Sequence, residues 1–331
     1  MGLKKSFKLY WILTAYFDRF NVTLTKLVRI LKMSIKTLQE TKGMTSFEER
    51  TYLYEYAKND YSGTGEIVDL GCWLGSSTIS LAMGLEENSN IDSKEKRIHA
   101  YDLFVWTEGM KNSKAVVGTP VEEKYNPGDS FLDEYITRIK PWENLIQVYP
   151  GDLTQIGWDN KKSIDYLFVD AMKTWDLANS IIQNFFPYLI PERSFVHHND
   201  WKVFGNPRVH VLMHSLQEYL VPVAHANPAM IFKLVKPIPK EKLNISYKPT
   251  SFSDGEIDEA FNYSFDISPT VMHPGIAAAK VKIWVERKNI QKAEEDLNLY
   301  KDRYVDIKDA NNHLKSVENL LVRVKRNLNK Q

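Results

Sequence analysis

Between Thr45 and Pro237 the chain alternates short apolar runs with stretches of helical spacing, and this alternation limits the fold more than any other feature. "EIVDL", "RIHAYDL", "NLIQVYPGDL", "IDYLFVD" and "SFVHHND" carry strand signals. Helix signals separate them: "SFEERTYLYEYAKN", Ser76 to about Gly84, "SFLDEYITRI", Trp175 to Phe186 and Val209 to Leu220. Strands alternating with helices predict an α/β fold, a doubly wound, mostly parallel sheet covered on both faces. "VPVAHANPAMIFKLVKP" predicts a closing, antiparallel pair of strands around Ala226, Asn227 and Pro228.

The flanks differ from this core, which divides the chain at 1–43, 44–237 and 238–331. Residues 1–43 are basic: nine Lys and Arg face only Asp18 and Glu40, and Leu24, Leu27, Ile30, Leu31 and Ile35 recur at helical spacing. Such an amphipathic helix suits either peripheral contact with an anionic membrane surface or packing against the protein or a second copy. In 238–331, Ile290, Ala293, Leu297, Tyr300, Tyr304 and Ile307 alternate spacings of three and four, as do Leu314, Val317, Leu321, Val324 and Leu328. A phase slip near Asp309 to Asn311 separates the two runs. This coiled-coil-like seam either pairs with another subunit, giving a homo-oligomer, or folds back on its own domain.

Composition removes several function classes. The net charge of +1 gives no reason to expect a nucleic-acid partner. A single cysteine excludes an internal disulfide framework and any multi-thiolate metal site, and fits a reducing, cytoplasmic location. No apolar run approaches the roughly 20 residues needed to span a bilayer.

The stretch "EIVDLGCWLGSST", Glu66 to Thr78, joins the first strand to a helix. Ligands of open parallel sheets sit beyond the carboxyl ends of the strands, and Asp69 and Gly71 lie at such an end. Gly75 lets the helix begin close to a ligand, and Ser76 and Ser77 offer hydroxyls at its start. The spacing is not G-x-G-x-x-G, and no Gly-Lys-Ser/Thr follows, so neither a dinucleotide fingerprint nor a P-loop is present.

On these residues the stretch 45–237 resembles a Rossmann-like class I S-adenosylmethionine-dependent methyltransferase. "VDLGCWLGSST" is similar to a subgroup that writes the family's first motif as acid-x-Gly-x-x-x-Gly-x-Ser-Thr, with Trp73 in place of its middle glycine. The methionine end of that cofactor carries no phosphate, so a bulky residue has no pyrophosphate to clash with. The resemblance implies that Asp69, Gly71, Trp73, Gly75, Ser76 and Ser77 surround the methionine end. It also implies that Asp102, with Leu103 beside it, takes the ribose hydroxyls, and that Asp152 and Leu153 contact adenine.

Two further strand ends carry chemistry. "LFVDAMKTW" supplies Asp170 and Lys173, and "FVHHNDW" supplies His197, His198, Asn199 and Asp200. Asp170, Asn199 and Asp200 are hard oxygen donors of the kind that suits Mg²⁺, and an ion there acidifies a bound hydroxyl. The pattern resembles metal-dependent O-methyltransferases of the catechol and macrolide-sugar types. In the catechol type a lysine base lies three residues after the first acid, which implies that role for Lys173. The Asn-Asp order departs from that family's usual pair. His198, Trp201 and, in the polar stretch from Trp106 to about Asp129, Trp106 are the candidates for acceptor contact. That stretch reads as a lid or as a disordered insertion.

The function expected is therefore methyl transfer to a hydroxyl of a sugar or other small molecule, with Mg²⁺ as a further candidate cofactor. The competing expectations are a non-catalytic nucleotide-binding protein acting through its helical tail, and a metal-free methyltransferase.

Overall fold

The computed structural model describes residues 35–328. Two units divide the chain at Thr41. In the first, the described residues form a helix over 35–40 that ends where both the backbone N–H and the hydroxyl of Thr41 donate to the Thr37 carbonyl. The rest of the basic amphipathic segment, and with it the expectation of membrane contact, lies outside the described residues. No helix among the described residues is long and apolar enough to cross a membrane.

The second unit, Lys42–Gln331, is built on a seven-stranded sheet of order β3-β2-β1-β4-β5-β7-β6. Its strands are β1 (Glu66–Leu70), β2 (Ile98–Asp102), β3 (Ile146–Pro150), β4 (Ile164–Val169), β5 (Phe195–His198), β6 (Leu220–Ala226) and β7 (Ala229–Leu234). β1 to β5 pair in parallel, while β7 runs antiparallel to both β5 and β6. This is the Rossmann-like architecture expected from the alternation, with the antiparallel closing pair. Burial follows position. Every residue of the central β1 and β4 is buried, as apolar runs covered on both faces must be. At the edge, β6 holds Pro222, which costs no ladder hydrogen bond there, and the register shifts beside it.

Helices α1 (Phe47–Glu55), α2 (Ser76–Glu87), α3 (Leu132–Ile139), α4 (Trp175–Asn184) and α5 (Arg208–Ser215) surround the sheet. The α5 helix is shorter than its sequence pattern suggests, because Leu220 already belongs to β6. The strand order reverses between β1 and β4, and the crevice that forms at such a point is where open α/β sheets bind ligands.

The C-terminal helices α6 (Asp254–Ile267), α7 (His273–Glu286), α8 (Ile290–Arg303) and α9 (Lys308–Leu328) fold back onto this domain. Ala293, Leu297, Tyr300, Leu314, Val317 and Leu321 of the seam join one apolar cluster with α7 and the sheet. α7 is buried from Pro274 to Val281 and from Ile283 to Val285, as a helix enclosed by others must be, and its charged side chains are paired. The helix break falls at Tyr304–Ile307, ahead of the expected slip, where the Ile307 N–H donates to the Tyr304 carbonyl.

Candidate active site

Asp69, one residue before the end of β1, is fully buried. Its Oδ2 accepts from Ser77 Oγ at 2.8 Å and Thr78 Oγ1 at 2.6 Å, so the acid ties the first turn of α2 to the strand end. Burial pushes its carboxyl up to about 6. Ser76 Oγ is likewise turned inward and accepts from Thr45 Oγ1 at 2.7 Å. Asp69, Ser76, Ser77 and Gly75 thus shape the loop from behind and do not border the cavity in front of it. The cause is that α2 starts beneath the loop and satisfies these groups internally.

Gly71 is different. Its φ is +88°, and a Cβ there would lie 2.9 Å from the Asp170 carbonyl oxygen, so β1 and β4 approach this closely only with glycine. Trp73 also has a left-handed backbone, φ +44°. That conformation aims its N–H at Asp102 Oδ2, 2.8 Å away, and Phe104 N–H donates to Asp102 Oδ1 at 2.8 Å. Burial raises the Asp102 carboxyl, while these N–H donors work in the opposite direction.

A cavity of about 590 Å³ opens beyond the ends of β1, β2, β3 and β4. Gly71, Trp73, Asp102 and Leu103 line one side, and Gly151, Asp152, Leu153 and Thr154 another. Asp170, Ala171, Lys173, Thr174 and Leu177 close the third, and Met44 and Met110 also border it. Leu103 is 56% exposed, an apolar side chain left uncovered at the rim. Met44, Met110, Thr174 and Leu177 are lining residues that carry no motif, and only the fold brings them here.

At the β4 end, Lys173 Nζ donates to Asp170 Oδ1 at 2.5 Å and to Asp200 Oδ2. Burial pushes Asp170 up to about 7, and Lys173 beside it pulls the other way. The two carboxylates outweigh desolvation at Lys173 and hold its ammonium above the ordinary lysine range. Held so, the ammonium gives up its proton less readily than a lysine in an apolar pocket, where the pKa is lowered.

Asp170 and Asp200, two of the three donors expected for Mg²⁺, meet at one point beyond the ends of β4 and β5. The Lys173 ammonium bridges Asp170 and Asp200, where a cation would have to bind. Asn199 Oδ1 is buried and has no hydrogen-bond partner among the described residues. Among those residues no group of three or more His, Cys, Asp and Glu is placed to hold a metal ion.

Three expected acceptor contacts lie elsewhere. His198 is buried, with Nε2 3.0 Å from Met213 Sδ, and burial pushes it down to about 3. Trp201 is fully buried against His210 and Phe232 and donates from Nε1 to Ser268 Oγ at 2.8 Å. Trp106 packs with Tyr125 and Phe131 inside the lid. In each case a large ring fills core volume instead of facing solvent. The stretch from Trp106 to Asp129 is folded into turns and a short helix. Its base is laced by Trp106 N–H to the Asp129 carbonyl, Gly128 N–H to the Trp106 carbonyl and Phe131 N–H to the Phe104 carbonyl, at 2.8, 2.9 and 3.0 Å.

His197, also in the core, meets Tyr166 Oη at 2.6 Å through Nδ1 and lies 3.6 Å from Glu49 Oε1 through Nε2. Burial lifts Glu49 to about 8 and drops His197 to about 3.

No protein-family model matches the chain, and no curated protein matches it. Solved structures with a similar backbone path include the O-methyltransferase NovP, at 12% identity, covering 58% of this chain and 81% of that one, TM-score 0.44. The calicheamicin methyltransferase CalS11 follows at 12% identity, 63% and 92% coverage and TM-score 0.39. An O-methyltransferase from Bacillus cereus, in complex with SAH, gives 12%, 68% and 96%, and 0.37.

Proposed function

We propose that the protein is an S-adenosylmethionine-dependent methyltransferase acting on a hydroxyl of a small molecule, sugars included. The observation that carries this reading is that Asp102 and Asp170, at the ends of β2 and β4, open onto one cavity at the switch point of the sheet. The cavity volume of about 590 Å³ suits a ligand of the donor's size.

In this reading Gly71 and Trp73 hold the amino-acid end of the donor, Asp102 accepts from the ribose hydroxyls, and Asp152, Leu153 and the exposed Leu103 take the adenine. Bound there, the sulfonium supplies an electrophilic methyl group. The acceptor oxygen would take that methyl group as the electron pair of the S–CH₃ bond returns to sulfur.

Asp170 receives the acceptor's hydroxyl proton, since a carboxyl lifted to about 7 has a proton affinity suited to this work near neutrality. Lys173 orients that carboxylate and supplies the positive charge that the reading gives to no metal. Met110, carried by the lid, and Met44 cover the acceptor and exclude water.

Calorimetric titration with S-adenosylhomocysteine tests the donor site, and absence of binding by the wild type would sink the reading. Transfer of a labelled methyl group to a panel of hydroxyl acceptors tests the chemistry. Asp170→Asn is expected to abolish transfer while S-adenosylhomocysteine still binds.

A further inference from the structure

The loop that carries Asp200 is held from its far side by the C-terminal helices. Trp201 Nε1 donates to Ser268 Oγ at 2.8 Å. A Cβ on Gly275 of α7 would lie 1.9 Å from the Lys202 carbonyl oxygen, so helix and loop touch backbone to backbone. Lys282 Nζ donates to the Gly205 carbonyl at 2.5 Å. The fourth tie is Arg208, which is 4% exposed. Its Nη1 donates to Asn206 Oδ1 at 2.6 Å and to the Met172 carbonyl at 3.0 Å, and its Nη2 to Glu286 Oε1 at 3.4 Å. Asn206 Nδ2 in turn donates to Asp200 Oδ2. Glu286 Oε2 also accepts from Trp175 Nε1 at 3.2 Å, two residues beyond Lys173.

We propose that Arg208 is a positioning residue through which α7 sets the Asp200–Lys173–Asp170 array, so that the C-terminal helices are a working part of the site. The guanidinium is a rigid fork with five donors, and three of the groups it reaches lie on separate segments: Met172 beside Lys173, Asn206 beside Asp200, and Glu286 on α7. A lysine at this place is a single point charge and cannot hold all three at once. Asp200 does not border the cavity but shares the Lys173 ammonium with Asp170, so what fixes Asp200 fixes the array. The catalytic significance of the array rests on the function proposed above, but the linkage itself does not.

The test uses the full chain with isotope-labelled lysine. Lys173, hydrogen-bonded to two carboxylates, is expected to give a slowly exchanging ammonium signal, assigned by its loss in Lys173→Arg. In Glu286→Gln and Arg208→Lys, exchange at this ammonium is expected to accelerate about tenfold or more, as loss of a charge-assisted hydrogen bond allows. Melting temperature and S-adenosylhomocysteine affinity are expected to stay near wild type. Unchanged exchange in a folded Glu286→Gln overturns the proposal, as does a wild type with no protected Lys173 signal. So does acceleration matched by an equal loss of global stability, which would mark Arg208 as structural only. If the wild type binds no S-adenosylhomocysteine, the function proposed above fails while the ammonium signal still decides the linkage.

Discussion

The Trp73 backbone N–H donates to Asp102 Oδ2 at 2.8 Å, joining the loop after β1 to the end of β2. With Phe104 N–H on the other oxygen, the carboxylate is fixed in plane before any ligand arrives. Each oxygen keeps a lone pair, which the proposed function assigns to a ribose hydroxyl of the donor. In Asp102→Asn one oxygen becomes an NH₂ that faces a backbone N–H, donor against donor, and the charge that strengthens the ligand bonds is gone. S-adenosylhomocysteine affinity is expected to fall about tenfold or more, as loss of a hydrogen bond to a charged group implies. Unchanged affinity by calorimetry would remove Asp102 from the donor site.

The sheet was legible because its signals are local. "EIVDL" and "IDYLFVD" read as buried strands from composition alone, and strand ends carrying Asp102, Asp152 and Asp170 fall where such sheets bind ligands. What was not legible depends on which way a side chain faces at one position. Asp69, Ser76 and Ser77 sit in the motif, yet they point under α2. Trp106 and Trp201 look like ring platforms in sequence, yet both fill core volume. The ties from Arg208 to Glu286 span 78 positions and have no spacing to read. Glu49 had a local signal, the Ser46–Glu49 capping box, which marks a helix start but not a buried acid.

Because the Lys173 ammonium holds Asp170 and Asp200 together, removing it should expose two carboxylates that repel each other and attract a cation. Lys173→Met is expected to bind Mn²⁺ in an electron paramagnetic resonance titration, and Lys173→Met/Asp200→Asn is expected to lose that binding. The wild type is expected to bind none at this site. Mn²⁺ binding by the wild type that Asp170→Asn abolishes would restore the metal expected from the sequence.

Stability should depend on pH in two opposed ways. His197, His198 and His210 are pushed from 6.5 down to about 3 by burial, so below 6.5 the unfolded chain binds protons that the fold refuses. Their contribution is present above 6.5 and is lost as pH falls toward 3. Glu49 and Asp69 are pushed up from 4.5 and 3.8 to about 8 and about 6, so the fold holds protons that the unfolded chain releases. Their contribution is complete below those ordinary values and is lost as pH rises through 6 and 8. Three groups on the rising side outweigh two on the falling side, so stability climbs with pH to a maximum near 6.5. A decline then follows toward pH 8, owed to Glu49, and a steeper one below about 4. A series of melting temperatures checks this, and Glu49→Gln is expected to remove the decline between 6.5 and 8. A wild-type curve that is flat or rising there would show Glu49 ionised in the fold.

Two glycines in neighbouring helices should respond oppositely to the same methyl group. At Gly275 the new Cβ would meet the Lys202 carbonyl oxygen at 1.9 Å, and neither α7 nor the loop after Trp201 has a flexible side chain to give way. Gly275→Ala must push backbone from backbone, at a cost of about 1–3 kcal/mol or more, as overpacking does. At Gly255, in the first turn of α6, nothing lies within 4 Å of the added atom. There alanine restricts the unfolded chain and favours the helix, for a gain of roughly 0.5–1 kcal/mol. Urea unfolding of both variants reads the sign directly. Because Gly275 touches the loop that carries Asp200, its alanine variant should also speed exchange at the Lys173 ammonium, whereas Gly255→Ala should leave that signal untouched. A Gly275→Ala protein as stable as wild type would mean that α7 is not pressed against the loop.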